Sequence, residues 1–185
     1  MQELCNVIRT ALVLCLSVIF VIPSVAAAED DATVEAFASL SGRGQIYPTG
    51  PNEATFVGDV SGVVYIMTED GPVDAGLIVC PATVEINSDN GAQTGAAKCT
   101  MTAHDGARAY ATLECKGRHL VGCRGNFELT GGTDRLEGLS GEGPVLFRSR
   151  FHDIVVGLTD STIQQTTIGI AYWPALRMNI PSAAE

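Results

Sequence analysis

Apolar and polar residues alternate in short runs along most of the chain, and glycine or Asp/Asn turns separate these runs. A two-residue period is typical of strands with one buried face, whereas an amphipathic helix would repeat every 3.6 residues. The pattern predicts nine approximate strands: Thr33–Leu40, Ala54–Met67, Leu77–Asn87, Ala96–Ala103, Ala107–Cys115, Arg124–Thr130, Arg135–Ser140, Val145–Val156 and Thr162–Trp173. The sequence therefore predicts an all-β antiparallel domain.

The number of strands favours a closed sheet. Eight or nine short antiparallel strands must protect their edges, and closure into a barrel does this most completely. We therefore predict a small antiparallel β-barrel of about eight strands. A two-sheet β-sandwich is the alternative that strand count alone leaves open.

Residues 1–28 have the features of a secretory signal peptide. The apolar run Leu12–Ile22 follows Arg9, and the small residues of 26–28 precede Glu29. This run is shorter than the roughly 20 residues that span a bilayer. We predict cleavage near Ala28–Glu29 and a single domain over residues 29–185. The mature protein would be secreted or periplasmic, with no integral membrane segment.

Four cysteines follow the predicted cleavage site: Cys80, Cys99, Cys115 and Cys123. An exported chain with an even number of cysteines favours disulfides. No two of these cysteines form a C-x-x-C pair, which argues against a zinc site.

The turn at 104–106 sets the register of one hairpin. A three-residue loop pairs Ala103 with Ala107, which keeps the apolar rows of both strands on one face. It also places Gly106 in the left-handed position that follows a type I turn in such loops.

This register limits the disulfide pairing. Cys99 falls opposite Ala111, so Cys115 lies four rows away, roughly 13 Å at about 3.3 Å per residue. A disulfide needs Cα atoms within about 7 Å. With Lys116–Gly122 as the next loop, Cys115 faces Cys123. We therefore predict the pair Cys115–Cys123, which leaves Cys80–Cys99 as the second bridge.

Net charge excludes some partners. The chain carries a formal charge of −10 at pH 7, and its only lysines are Lys98 and Lys116. Such a surface repels phosphate backbones, so we predict no nucleic-acid partner and no adhesion to anionic membranes.

The candidate catalytic residues form no recognisable constellation. His104-Asp105 and His152-Asp153 are adjacent pairs, and adjacent residues on a strand point to opposite faces, so sequence proximity makes no His–Asp dyad. His119 lies alone in the loop between Cys115 and Cys123. The chain has no nucleophile elbow and no phosphate-binding loop. We predict no catalytic residue, no metal site and no cofactor, which favours a protein that is not an enzyme.

The stretch Phe127–Gly143 resembles the G-G-T-G-x-F-x-x-A/I-x-G hairpin of allene oxide cyclase-like and dirigent-like barrels, and of secreted bacterial proteins that share this hairpin. Asp134 stands where those families usually carry glycine, and Leu136 where they usually carry phenylalanine. The resemblance implies an eight-stranded antiparallel barrel with an apolar interior able to hold a small ligand. The residues that match the pattern are Gly131, Gly132, Thr133, Gly138 and Gly141.

Three hypotheses for function follow. The first is an exported, disulfide-stabilised, non-enzymatic barrel that is structural or binds a small apolar molecule. The second is a cyclase- or dirigent-type protein that guides a reactive small molecule in an apolar cavity. The third is a protein–protein interaction module that uses an exposed sheet face. An apolar void of a few hundred Å³ would favour the first two, and a filled interior would leave the third. The sequence does not indicate the oligomeric state.

Overall fold

The computed structural model describes residues 30–157 and 163–180, and in these ranges the chain forms a closed antiparallel β-barrel. Each strand pairs with its neighbour in sequence, and the first pairs with the last, which closes the sheet. The eight strands are β1 (Asp30–Gly50), β2 (Glu53–Thr68), β3 (Gly71–Asn87), β4 (Ala92–Thr102), β5 (Arg108–Arg118), β6 (Gly122–Gly132), β7 (Ser140–Val156) and β8 (Ile163–Ile180). The predicted barrel is confirmed, and the sandwich alternative is wrong. The predicted signal peptide lies outside the described residues.

One predicted strand is absent from the described chain. Arg135–Ser140 was expected to pair back from the glycine turn, but Asp134–Leu136 forms a short 3₁₀ helix and β7 begins only at Ser140. Asp134 adopts a left-handed conformation with φ of +55°, which bends the backbone out of the extended path that a strand needs. The hairpin between β6 and β7 therefore has a wider connection than the sequence predicted.

The β4–β5 hairpin has the predicted register. Cys99 pairs with Ala111, and Cys115 pairs with Gly95. The N–H of Ala103 donates to the carbonyl of Ala107 at 2.9 Å and so closes the loop, and Gly106 has φ of +90°. The alternation of apolar and polar residues on the two strands was sufficient to predict this register.

The predicted β5–β6 register is wrong by two residues. Cys115 pairs with Gly125 rather than with Cys123, because the strands run on to Arg118 and Gly122 and leave a loop of residues 119–121. The strands also approach closely here: a Cβ at Gly125 would lie 1.7 Å from the carbonyl oxygen of Glu114. Only glycine fits at that contact. A shift of two residues keeps every side chain on its predicted face.

The inward rows of the strands form one continuous core that is filled at one end of the barrel. Phe127 is 1% exposed and packs edge-on against Trp173, with ring centroids 5.2 Å apart. The same buried cluster also contains small side chains, among them Ala36, Ala109 and Ala171. The end of the barrel that carries the β1–β2, β3–β4 and β5–β6 connections is packed less tightly.

Candidate functional site

A cavity of about 140 Å³ lies inside the barrel at the end that carries the β3–β4 and β5–β6 connections. Its wall is mainly apolar. The larger apolar side chains that line it are Leu40, Phe56, Val84, Leu113 and Phe147. A small apolar pocket with a few polar groups is the usual form of a ligand site.

Small residues on the inward rows create this space. Gly95 and Ala97 of β4 face the cavity, as do Ala82 of β3 and Gly169 of β8. Towards the opposite end the inward rows carry bulky side chains such as Trp173 of β8 and Phe127 of β6, which fill the interior. The hollow end of the barrel is thus a consequence of side-chain size along the inward rows.

His119 reaches the cavity from the loop between β5 and β6. Its backbone N–H donates to the carbonyl of Gly91 at 2.8 Å, and the Arg118 guanidinium donates to the carbonyl of Asn90 at 2.9 Å. The next residue, Leu120, has φ of +61° and also lines the cavity. These contacts join the loop to the β3–β4 turn and hold the imidazole over the end of the barrel.

Two glutamines accompany His119. Nδ1 of His119 lies 3.3 Å from Oε1 of Gln93, at the start of β4. Gln165 of β8 is 5% exposed, and within the described part of the chain its Oε1 has no hydrogen-bond partner. These three side chains, which we call the polar cluster, form the hydrophilic end of a mainly apolar cavity.

Burial lowers the pKa of His119 below its ordinary value of 6.5, because the apolar surroundings disfavour the charged imidazolium. Gln165 lies beside the ring and opposes this lowering. Its Oε1 is too poorly placed to complete a hydrogen bond to His119. The neutral imidazole, which carries a single N–H, is therefore favoured over the imidazolium.

Both disulfides link neighbouring strands of the barrel. Cys80 on β3 joins Cys99 on β4, and Cys115 on β5 joins Cys123 on β6, with Cα–Cα distances of 4.1 and 5.6 Å. These are the two pairs that the sequence predicted, although the second bridge runs diagonally rather than straight across. Cys80, Cys115 and Cys123 also line the cavity, so the disulfides brace its wall.

The glycine-rich segment lies at the opposite end of the barrel. Gly131 and Gly132 end β6, Gly138 lies in the connection to β7, and Gly141 is near the start of β7. Thr133 fastens this connection to β5: its hydroxyl accepts the N–H of Arg108 at 3.1 Å, and its own N–H donates to the carbonyl of that residue. The segment shapes the filled end and contributes nothing to the cavity.

The other predicted histidines do not join the cavity as far as it is described. His104 is exposed in the β4–β5 turn, where Nε2 lies 3.3 Å from a carboxylate oxygen of Asp74. His152 belongs to β7, but its side chain lies outside the described residues. Arg148 and Arg150 of β7 are exposed.

The sequence analysis missed both glutamines of the polar cluster. A signal for them exists: Gln93 precedes Gly95 and Ala97 on the inward row of β4, and Gln165 precedes Gly169 and Ala171 on the inward row of β8. A polar side chain on a mainly apolar row marks a candidate site. The alternation of residues does not show that these two rows, which lie on strands that are not neighbours, meet at His119.

The outer wall carries exposed apolar side chains, which the third hypothesis requires. Ile168 and Ile170 of β8 are each 47% exposed, and Val79 and Leu77 of β3 are 46% and 58% exposed.

No helix in residues 30–157 or 163–180 is long and apolar enough to cross a membrane. In the same ranges no group of three His, Cys, Asp or Glu side chains could hold a metal ion.

No protein-family model and no curated protein matches the chain. Among solved structures, the chain is similar to the pterocarpan synthase dirigent protein GePTS1 at 12% sequence identity, over 82% of this chain and 96% of that one. The TM-score of this match is 0.32. A likeness at that level says nothing about activity, so the function has to be inferred from the cavity.

Proposed function

We propose that this protein is an exported, non-enzymatic barrel that binds one small, mainly apolar molecule in the cavity beside His119. The observation that carries the proposal is the cavity itself: about 140 Å³, apolar along its wall and polar at one end. A cavity of about 150 Å³ with an apolar lining is large enough to hold benzene. The void is smaller than the few hundred Å³ considered from the sequence, so the ligand is correspondingly small.

Export is part of the same proposal. Two disulfides fit an oxidising compartment, either a periplasm or the outside of the cell. The features of residues 1–28 that resemble a signal peptide point the same way. N-terminal sequencing of protein recovered from culture medium or periplasm would test it, and we expect the mature chain to begin near Glu29.

Ligand binding is tested by calorimetric titration with methylcyclohexane, an apolar probe of suitable size. Ala97→Leu adds three carbons to the cavity wall, roughly 90 Å³ at ~30 Å³ each, and should abolish binding. Ala92→Leu makes the same change at an exposed position of the same strand and should leave binding unchanged. Equal binding by both variants would place the probe elsewhere and reject the proposal.

A second candidate, a protein that guides a reactive small molecule, would use the same cavity. The observation that favours it is the neutral imidazole of His119, which could accept a proton from a bound molecule. Mass spectrometry of protein purified from its native source distinguishes the two candidates. If a bound molecule is released unchanged after incubation, the protein only binds it. If the molecule is converted by the wild type but not by His119→Gln, the result supports a protein that guides a reactive small molecule.

A further inference from the structure

One acceptor of the polar cluster, Oε1 of Gln165, is paired with no donor in the described part of the chain. A glutamine side-chain oxygen can only accept, and a neutral imidazole has one N–H to donate. Nδ1 of His119 lies 3.3 Å from Oε1 of Gln93, and a proton on Nδ1 donates to that oxygen. Oε1 of Gln165 is then left without a donor, as the described contacts also show.

Leaving a buried acceptor unpaired destabilises a protein, and native interiors rarely do so without a reason. Trp173 Nε1 is the other buried side-chain atom without a partner in the described chain, but Trp173 is a donor and does not line the cavity. Gln165 does line it. A second proton on His119 could supply the missing donor, but the apolar surroundings oppose that charge. A donor brought by a ligand carries no such cost.

Building on the proposed function, we infer that the ligand is a neutral molecule about the size of a six-membered ring that carries a hydroxyl group, and that this hydroxyl donates to Oε1 of Gln165. The ring would lie against Leu113 and Phe56, which line the same cavity. The hydroxyl oxygen can in turn accept a hydrogen bond from Thr167, which also lines the cavity. The size of this molecule follows from the cavity volume, and its hydroxyl group follows from the missing donor to Oε1 of Gln165.

Two matched probes separate donating from merely polar ligands. Cyclohexanol and cyclohexanone have similar size and shape, and both oxygens accept hydrogen bonds, but only the alcohol donates one. Methylcyclohexane has the same number of non-hydrogen atoms and no polar group, so it reports on the apolar cavity alone. Each is titrated calorimetrically into the purified protein at pH 8, where His119 is neutral.

We expect cyclohexanol to bind at least tenfold more tightly than cyclohexanone, equivalent to ~1.4 kcal/mol. In Gln165→Met, a side chain of similar length without the acceptor, this preference should fall to within about twofold, while methylcyclohexane still binds. If this variant does not fold, the comparison of cyclohexanol with cyclohexanone in the wild-type protein still tests the hydroxyl assignment.

The possible failures are distinguishable. If methylcyclohexane binds but cyclohexanol has no advantage over cyclohexanone, the hydroxyl headgroup is rejected and the apolar site stands. An advantage that persists in Gln165→Met also rejects the assignment, because the donor then has another partner. If none of the three probes binds, the proposed function fails together with the inference.

Discussion

Gly95 lines the cavity from β4, and its replacement by alanine tests whether the space beside it is empty. A Cβ at this position would lie 3.4 Å from Sγ of Cys115 and 3.5 Å from a methyl carbon of Val84, which is ordinary van der Waals contact. Gly95 also does not have a positive φ. Gly95→Ala therefore adds a methyl group without displacing the backbone.

The size of the effect follows from the cavity. A methyl group fills ~30 Å³, the volume of one water molecule, out of about 140 Å³. At about 24 cal/mol per Å³ of void, this filling stabilises the native state by ~0.7 kcal/mol. The reduced freedom of the unfolded chain adds ~0.4–1 kcal/mol. We expect Gly95→Ala to raise the free energy of unfolding by about 1.1–1.7 kcal/mol and to weaken methylcyclohexane binding.

Urea denaturation measures the first effect and calorimetric titration the second. Gly125→Ala is the matched control, because a Cβ at Gly125 would lie 1.7 Å from the carbonyl oxygen of Glu114. That clash should lower the free energy of unfolding by about 1–3 kcal/mol. If Gly95→Ala destabilises the protein, or binds methylcyclohexane as tightly as wild type does, the space beside Gly95 is not part of a ligand cavity.

Three further predictions concern the disulfides and two titrating groups. Cys80–Cys99 and Cys115–Cys123 are separated by 19 and 8 residues, and loop-closure entropy therefore assigns ~3.2 kcal/mol to the first disulfide and ~2.5 kcal/mol to the second. Urea denaturation of the two double-alanine variants should show the larger loss of unfolding free energy for the first pair. The reverse order would contradict this ranking. Because burial lowers the pKa of His119, the unfolded chain binds a proton before the native chain does as the pH falls below 6.5. The free energy of unfolding should therefore fall on acidification below that pH, and less steeply in His119→Gln; identical pH profiles would show that His119 is not buried. The Tyr172 hydroxyl donates to Glu35 at 2.7 Å, and this contact raises the pKa of Tyr172; ultraviolet titration should find that pKa lower in Glu35→Gln, and an unchanged value would exclude the contact.

The β4–β5 hairpin could be predicted because its determinants are local. A single glycine turn and the parity of two neighbouring apolar rows leave one register that buries both rows. The β5–β6 register failed because its determinant is tertiary. Gly117 and Gly125 allow the two backbones to approach closely, and nothing in the alternation of residues distinguishes that pairing from one shifted by two.

The alternation of residues predicts which side chains face inward, but not which end of the barrel is filled and which is hollow, and the reason is again tertiary. Parity assigns Phe127 and Gly95 to the inward face, but not which inward residues share a level of the barrel. That depends on how far each strand is staggered against the next around the whole circle. Gln93 and Gln165 lie on strands that are not neighbours, so their meeting at His119 is a property of the closed barrel.

X-ray diffraction from a crystal pressurised with xenon shows directly whether this end of the barrel is hollow, because xenon enters dry apolar cavities of this size. We predict one anomalous-scattering peak inside the barrel, against Leu113 and Phe56 and next to the polar cluster, and no such peak in Ala97→Leu. An interior without xenon, with side chains packed across the space between Gly95 and Gln165, would contradict the claim that this end of the barrel is a binding cavity.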